Sequence, residues 1–361
     1  MRLAVVLLLA TTAPAFADDK ELDKASIVFA RGGALIKSSG LGRGETELAT
    51  LPAKTGSGPE SRVIVRALRT DAKGTVLLAD LDHKWWWMPL DGSKQLKQLP
   101  CGEGPAQLLA DGTCVICRSP GPGDKALVIS FATGKQVVVD APALGARVIS
   151  TGRTHRVVYA DKTGVWSVSL ADRTKKTKVA PDAPIRSFLP SPDGKYATGV
   201  YLESMYDNRT KKPPVETLTT FALDGEGVHR LGIRNGVPLD WSHDGTYVLV
   251  QEGAKACLMR AGGGQYKCWK GFTAVSLAPD GSYALVLGAR DQKATPKAPA
   301  KPPQKKPAND DDPGEADDDV PVGLPTGALA LYRAKLDGPY DAAPALVAKI
   351  VDGAAVWIPG R

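Results

Sequence analysis

The sequence predicts an all-β fold, a seven-bladed β-propeller closed by pairing of the C-terminal strand with the N-terminal blade. Three observations point there. One turn pattern recurs as Ser191-Pro192-Asp193-Gly194-Lys195-Tyr196, Ser242-His243-Asp244-Gly245-Thr246-Tyr247 and Ala278-Pro279-Asp280-Gly281-Ser282-Tyr283. A second series runs in phase with it: Leu90-Asp91-Gly92, Phe131-Ala132-Thr133-Gly134, Leu170-Ala171-Asp172, Leu223-Asp224-Gly225 and Leu336-Asp337-Gly338. Finally, the tail Ala354-Ala355-Val356-Trp357-Ile358 reads as one strand left over at the end.

The first pattern suits a type I turn. Serine hydrogen-bonds back at position i, proline presets φ at i+1, aspartate suits i+2 and glycine i+3. Each tyrosine that follows opens a β-rich run. Degenerate copies stand at Asp71-Ala72-Lys73-Gly74, Asp111-Gly112-Thr113 and Gly152-Arg153-Thr154-His155. With Asp71, Asp111, Gly152, Asp193, Asp244 and Asp280 as markers, the intervals are 40, 41, 41, 51 and 36. Periods of about 40 to 45 residues mark four-stranded blades. The second series reads as hairpin turns joining the outer two strands of each blade, with Asp-Gly supplying the φ > 0 positions.

From the N-terminus, residues 1–17 read as a signal peptide: Arg2, an apolar run over 3–9, and the small-x-small site Ala15-Phe16-Ala17. The protein is therefore expected to be periplasmic or secreted, with 18–361 as one propeller domain. No later stretch has the roughly 18 uninterrupted apolar residues of a membrane span. Blade one takes three strands from 26–52 and its innermost strand from 354–358, which removes an open sheet edge. Blades two to seven are expected over 62–100, 105–140, 146–181, 184–233, 236–270 and 273–350. Residues 291–322 interrupt the last blade, running from Lys/Pro-rich to Asp-rich with almost nothing apolar to bury, and are expected to be disordered.

These Pro-Asp-Gly-x-Tyr turns followed by Leu-Asp-Gly turns resemble the TolB-type (WD-repeat-like) β-propeller repeats of bacterial envelope proteins. The resemblance covers nearly all of the chain after the leader and is strongest over 184–290. It implies a binding or scaffold module for a protein or polymer of the cell envelope. About eight residues separate the leader from the first strand, so a stand-alone propeller is expected rather than TolB itself.

Three enlarged connections occupy one blade position, between the second and third strands: 118–124, 203–214 and the insertion. Equivalent connections emerge on one face, and per-repeat insertions gather on the binding face. Tyr206, Asn208, Arg209, Lys211, Arg118 and Asp124 are therefore the candidate docking residues. The sequence holds no Gly-x-Ser-x-Gly elbow, His-Glu-x-x-His or phosphate-cradling loop, so binding is favoured over catalysis. The alternative is a lactonase-like or other hydrolase with scattered Asp and His side chains in the central channel. No cofactor or metal is expected: the cysteines lack a second ligand pair, and the Asp-rich run lacks helix-loop-helix calcium spacing. The net charge of +7 is spread along the chain, which suits solubility rather than nucleic-acid binding, and a monomer is expected.

Of five cysteines, Cys257 and Cys268 flank a Gly-rich loop. If Arg260 faces Gln265, they lie opposite one another and form a disulfide. Cys114 and Cys117 point to opposite faces of a strand and do not bridge each other. Cys117 bridging Cys101 with Cys114 free is left open. Trp85-Trp86-Trp87 is expected to pack between blades, Trp86 towards one neighbour and Trp85 and Trp87 towards the other. His243 is read as a turn residue.

Overall fold

The computed structural model describes residues 22, 24–52, 63–142, 146–151, 154–180, 184, 186–204, 215–223, 228–234, 236–263, 266–278, 281–289, 329–336 and 343–359. Their strands form seven four-stranded antiparallel sheets, the blades of a propeller. Blade one comprises Ala355–Ile358, Ser26–Arg31, Ala34–Ser39 and Thr46–Thr50, from inside outward. Blade two is Val65–Thr70, Val76–Leu81, Lys84–Pro89 and Lys97–Gln98; blade three is Gln107–Leu108, Cys114–Arg118, Ala126–Ser130 and Gln136–Val139. Blade four is Arg147–Thr151, Thr154–Asp161, Gly164–Ser169 and Lys176–Ala180; blade five is Arg186–Pro190, Tyr196–Ser204, Val215–Ala222 and Val228–Arg234. Blade six is Val237–Trp241, Tyr247–Glu252, Lys255–Arg260 and Tyr266–Lys270; blade seven is Thr273–Leu277, Tyr283–Ala289, Leu329–Lys335 and Ala345–Val351. The first strands of neighbouring blades touch one another around the axis at six of the seven junctions, and between blades four and five Thr154–Asp161 touches Arg186–Pro190.

The tail closes the ring as its apolar pattern requires. Ser26 pairs with Ile358, Ile27 with Trp357, Val28 with Val356 and Phe29 with Ala355. All four residues of that last strand are buried, because it lies between the apolar faces of blades seven and two. The core is thus a set of layers between adjacent sheets. Trp85 and Trp87 pack towards blade three, with the Trp87 ring 4.5 Å from Phe131, while Trp86 packs towards blade one. That alternation follows from the two-residue period of a strand.

Backbone bonds separate the two faces of the ring. On one, the turn between third and fourth strands donates to the turn between first and second: Leu90 N to Thr75 O (2.7 Å), Phe131 N to Thr113 O (3.0 Å), Leu170 N to His155 O (2.9 Å), Leu223 N to Lys195 O (2.7 Å), Ala261 N to Thr246 O (2.8 Å) and Leu336 N to Ser282 O (3.0 Å). The two turn series read from the sequence therefore share this turn face. On the opposite face, connections between second and third strands bond to those between blades, as in Asp82 N to Ile64 O (3.0 Å) and Gly271 N to Ala254 O (2.7 Å).

In the full turn pattern, Ser191 Oγ accepts from Tyr196 N (3.0 Å) and donates to Asp193 Oδ1 (2.6 Å); Ser242 does the same with Tyr247 N (2.9 Å) and Asp244 Oδ1 (2.6 Å). Blade two corrects the expected alignment. Asp71 stands where the other copies carry serine: its carboxylate accepts from Thr75 N (2.7 Å), Val76 N (2.8 Å), Thr75 Oγ1 (2.8 Å) and Lys73 N (3.3 Å). A residue with two acceptor oxygens can replace a hydroxyl here, and Lys73 then fills the aspartate position. The turn glycine is required twice over. Gly245 has φ +71°, and a Cβ there would lie 2.7 Å from Asp193 Oδ1 of the preceding blade.

The described residues hold two disulfides. Cys257 pairs in register with Cys268 and is bonded to it, as expected from the loop count. Cys101 bonds Cys117, joining the connection after blade two to the second strand of blade three, and Cys114 stays free. Burial pushes the Cys114 thiol up, away from the reactive thiolate. Replacing Cys257 and Cys268 together by alanine is expected to cost about 3 kcal/mol from the closed loop of roughly a dozen residues. Urea unfolding of the oxidised parent and the double variant measures it, and coincident curves would show the bridge to be dispensable.

Candidate functional site: the central channel and its rim

The first strands that line the axis are irregular by design of their pairing. Register slips between first and second strands occur in blade two (Val65/Ala67), blade five (Arg186/Leu189), blade six (Pro238/Asp240) and blade seven (Ala274/Ser276). A bulge breaks the strict in-out alternation and re-aims the side chains beside it. Here it turns charged and apolar groups together towards the axis. The first strands, with the turns and second strands beside them, enclose a cavity of about 620 Å³ lined by Arg69, Arg147, Asp240, His243, Gln107 and Gln251 among apolar neighbours such as Leu68 and Leu239.

Its polar groups differ in how well they are satisfied. Asp240 Oδ1 accepts from Trp241 N (2.9 Å) and Oδ2 from Leu277 N (3.2 Å), which ties the carboxylate to blades six and seven. Gln251 Oε1 accepts from Ala274 N (2.8 Å) and its Nε2 donates to Gly253 O (2.7 Å), linking the same two blades. Arg147 is 8% exposed and donates from Nη1 to Pro190 O (2.6 Å). Burial pulls its guanidinium down to about 10, with Asp240 and Asp193 opposing the fall and Arg69 adding to it. Arg69 is lowered by burial against the pull of Asp240 and Asp80. Its Nε is shut off from solvent without a hydrogen-bond partner, as is Nδ1 of His243. Burial also lowers His243, so the imidazole is neutral at pH 7.

The mouth on the face of the second-to-third-strand connections is apolar and polar by turns. Ile64 is 56% exposed and Val237 37%, and both border the cavity at the starts of the first strands of blades two and six. Beside them Asp352 Oδ2 accepts from Gly32 N (2.7 Å). The expected docking residues distribute as follows. Arg118 Nε and Asp124 Oδ1 lie 3.7 Å apart, both side chains nearly half exposed, closing the base of the blade-three loop on this face. Tyr206, Asn208, Arg209 and Lys211 lie outside the described residues, as do 291–322.

His243 is the turn residue expected, but it also borders the channel. Arg69, Arg147 and Asp240 were not singled out from the sequence. Their signal is charge within a largely apolar first strand, as in Val65-Arg-Ala-Leu-Arg69 and Val237-Pro-Leu-Asp240-Trp241. Among the described residues, Glu252, Cys257 and Cys268 bring potential metal-binding atoms within 4.8 Å of one another. Both sulfurs are spent on the disulfide, which leaves no thiolate to bind an ion.

No family model matches the sequence, and no curated protein matches it. Among solved structures, the chain is similar to hydrazine synthase of Kuenenia stuttgartiensis, with TM-score 0.47 and 14% identity over 71% of this chain and 86% of that one. It is similar to a protein of Agrobacterium tumefaciens described as TolB, with TM-score 0.44 and 13% identity over 68% and 87%. A third similar structure is Hsv2 of Kluyveromyces lactis, with TM-score 0.41 and 9% identity over 62% and 71%. At such identities and TM-scores these likenesses carry no argument about function.

Proposed function

We propose that the chain is an exported propeller of the TolB-like kind that binds a protein of the cell envelope through the face bearing its second-to-third-strand connections. The observation that carries this reading is the pair of exposed apolar side chains, Ile64 and Val237, set at the channel mouth on that face. Apolar groups ringed by polar ones are what a protein partner buries at the centre of an interface. The long connections of blades three, five and seven leave the ring on the same side and would form the rim. Two disulfides suit an oxidising compartment, in agreement with the leader-like N-terminus.

The hydrolase reading draws on His243 and Asp240, which share the channel. Both oxygens of Asp240 are engaged by backbone amides, so the carboxylate serves as a brace between blades rather than as a partner for the imidazole.

The test is capture from a native envelope fraction, comparing the parent with an Ile64→Asp/Val237→Asp variant and with a chain lacking 206–214. We expect a protein retained by the parent to fall at least tenfold with either change, while circular dichroism melts coincide. Retention of the same protein by all three chains would rule out this face. Retention of a polysaccharide instead would replace the protein partner, and turnover of small esters or lactones by the parent would favour the hydrolase.

A further inference from the structure

One buried guanidinium group, Arg147, and one partly buried, Arg69 with its Nε shut off from solvent, share one cavity without a direct ion pair. Among the described residues, neither Arg69 nor Arg147 forms an ion pair within 4.0 Å. The carboxylates that act on them are Asp240 for both, Asp80 for Arg69 and, more weakly, Asp193 for Arg147. Asp240 is already held by two backbone amides, and Asp193 is engaged in its own turn by Ser191. Burying a cation without a direct ion pair costs several kcal/mol, so keeping Arg147 beside a second guanidinium in one cavity points to a reason outside packing. The planar fork of arginine matches an oxyanion in two-point contact. His243 stands at the same cavity with an unpartnered ring nitrogen, able to add a third contact.

The geometry points to an oxyanion-binding site in the central channel, in which Arg69 and Arg147, assisted by His243, take a phosphate or carboxylate group. Arg69 is near the end of its strand, His243 is in the adjoining turn region and Pro190, the partner of Arg147, ends the first strand of blade five. Arg147 opens its strand but its Nη1 reaches Pro190 O, so the three groups meet deeper in the cavity whose mouth Ile64 and Val237 border. The site is tested apart from the docking face, and either can fail without the other.

Orthophosphate and malonate, each titrated at constant ionic strength in a chloride background, distinguish the two ligand classes. Melting temperature and isothermal titration calorimetry are the readouts. We expect one of the two anions to raise the melting temperature of the parent saturably, by about 5 °C at a hundredfold excess over Kd. Arg69→Gln and Arg147→Gln should weaken binding at least tenfold, whereas Arg118→Gln on the rim should leave it unchanged. Without added anion, Arg69→Gln should melt no lower than the parent, because it removes a partly buried charge whose Nε lacks a partner. The proposal is overturned if neither anion shifts the folded parent beyond the chloride control. It is equally overturned if the shift persists in both channel variants, which would mark adventitious surface ions.

Discussion

Removal of residues 354–361 should lower the melting temperature by about 10 °C, with aggregation on heating. The deleted strand carries Val356, Trp357 and Ile358, which are 4%, 1% and 6% exposed, and each fully buried side chain of this size contributes about 1.5 to 3 kcal/mol. The loss also bares the edge of Ser26–Arg31 and the apolar faces of blades seven and two. Unpaired edges of this kind recruit other chains. A single substitution isolates the packing part: Trp357→Ala should cost about 3 to 5 kcal/mol. Trp357 reaches across the junction to Tyr283 of blade seven, the ring centroids 6.2 Å apart. Calorimetry of the truncated chain is the direct check, and a melt unchanged from the parent would show that the tail does not hold the ring shut.

Asp71→Ala should be nearly as damaging, at about 3 to 5 kcal/mol, although it removes only a carboxylate. That group is 1% exposed and satisfies the amides of Thr75 and Val76 together with the Thr75 hydroxyl. Without it, the buried Val76 amide and the partly buried Thr75 donors lose their acceptor, at about 1 to 3 kcal/mol for each one that water cannot reach. Asp71→Ser gives the discriminating comparison. Serine does this work in blades five and six, so its hydroxyl should bond Val76 N and recover at least half of the loss. Urea unfolding of the three chains measures the series. Equal destabilisation by Ala and Ser would mean that the turn depends on both oxygens or on charge.

Features encoded locally were legible before the structure. The two turn series, the strand alternation of Trp85 to Trp87 and the register of Cys257 against Cys268 each depend on a few contiguous residues. The closing strand was legible because it had no partner within its own blade. Asp71 was misaligned because Asp-x-x-Gly and Ser-x-Asp-Gly look alike by spacing, and only the hydrogen bonds show which position the carboxylate fills. The Cys101–Cys117 bridge depended on how the connection after blade two lies against blade three, where Gly102 N donates to Arg118 O (2.8 Å). The channel charges were the least legible. Arg69, Arg147 and Asp240 come from three blades and meet only because first strands converge radially, so no sequence period links them.

The tight seating of each turn on its predecessor has a mechanical outcome. A Cβ on Gly74 would strike Ile358 of blade one, one on Gly112 would strike Asp71, and one on Gly281 would strike Tyr247. Gly194 stands in the same relation to Ile149, and Gly245 to Asp193. Like wedge stones in an arch, the sectors are keyed to their neighbours, and the junction at Gly74 carries the thrust across the point where the two chain ends meet. Load on one sector is then passed on at these five of the seven junctions, which favours giving way together over shedding sectors one after another.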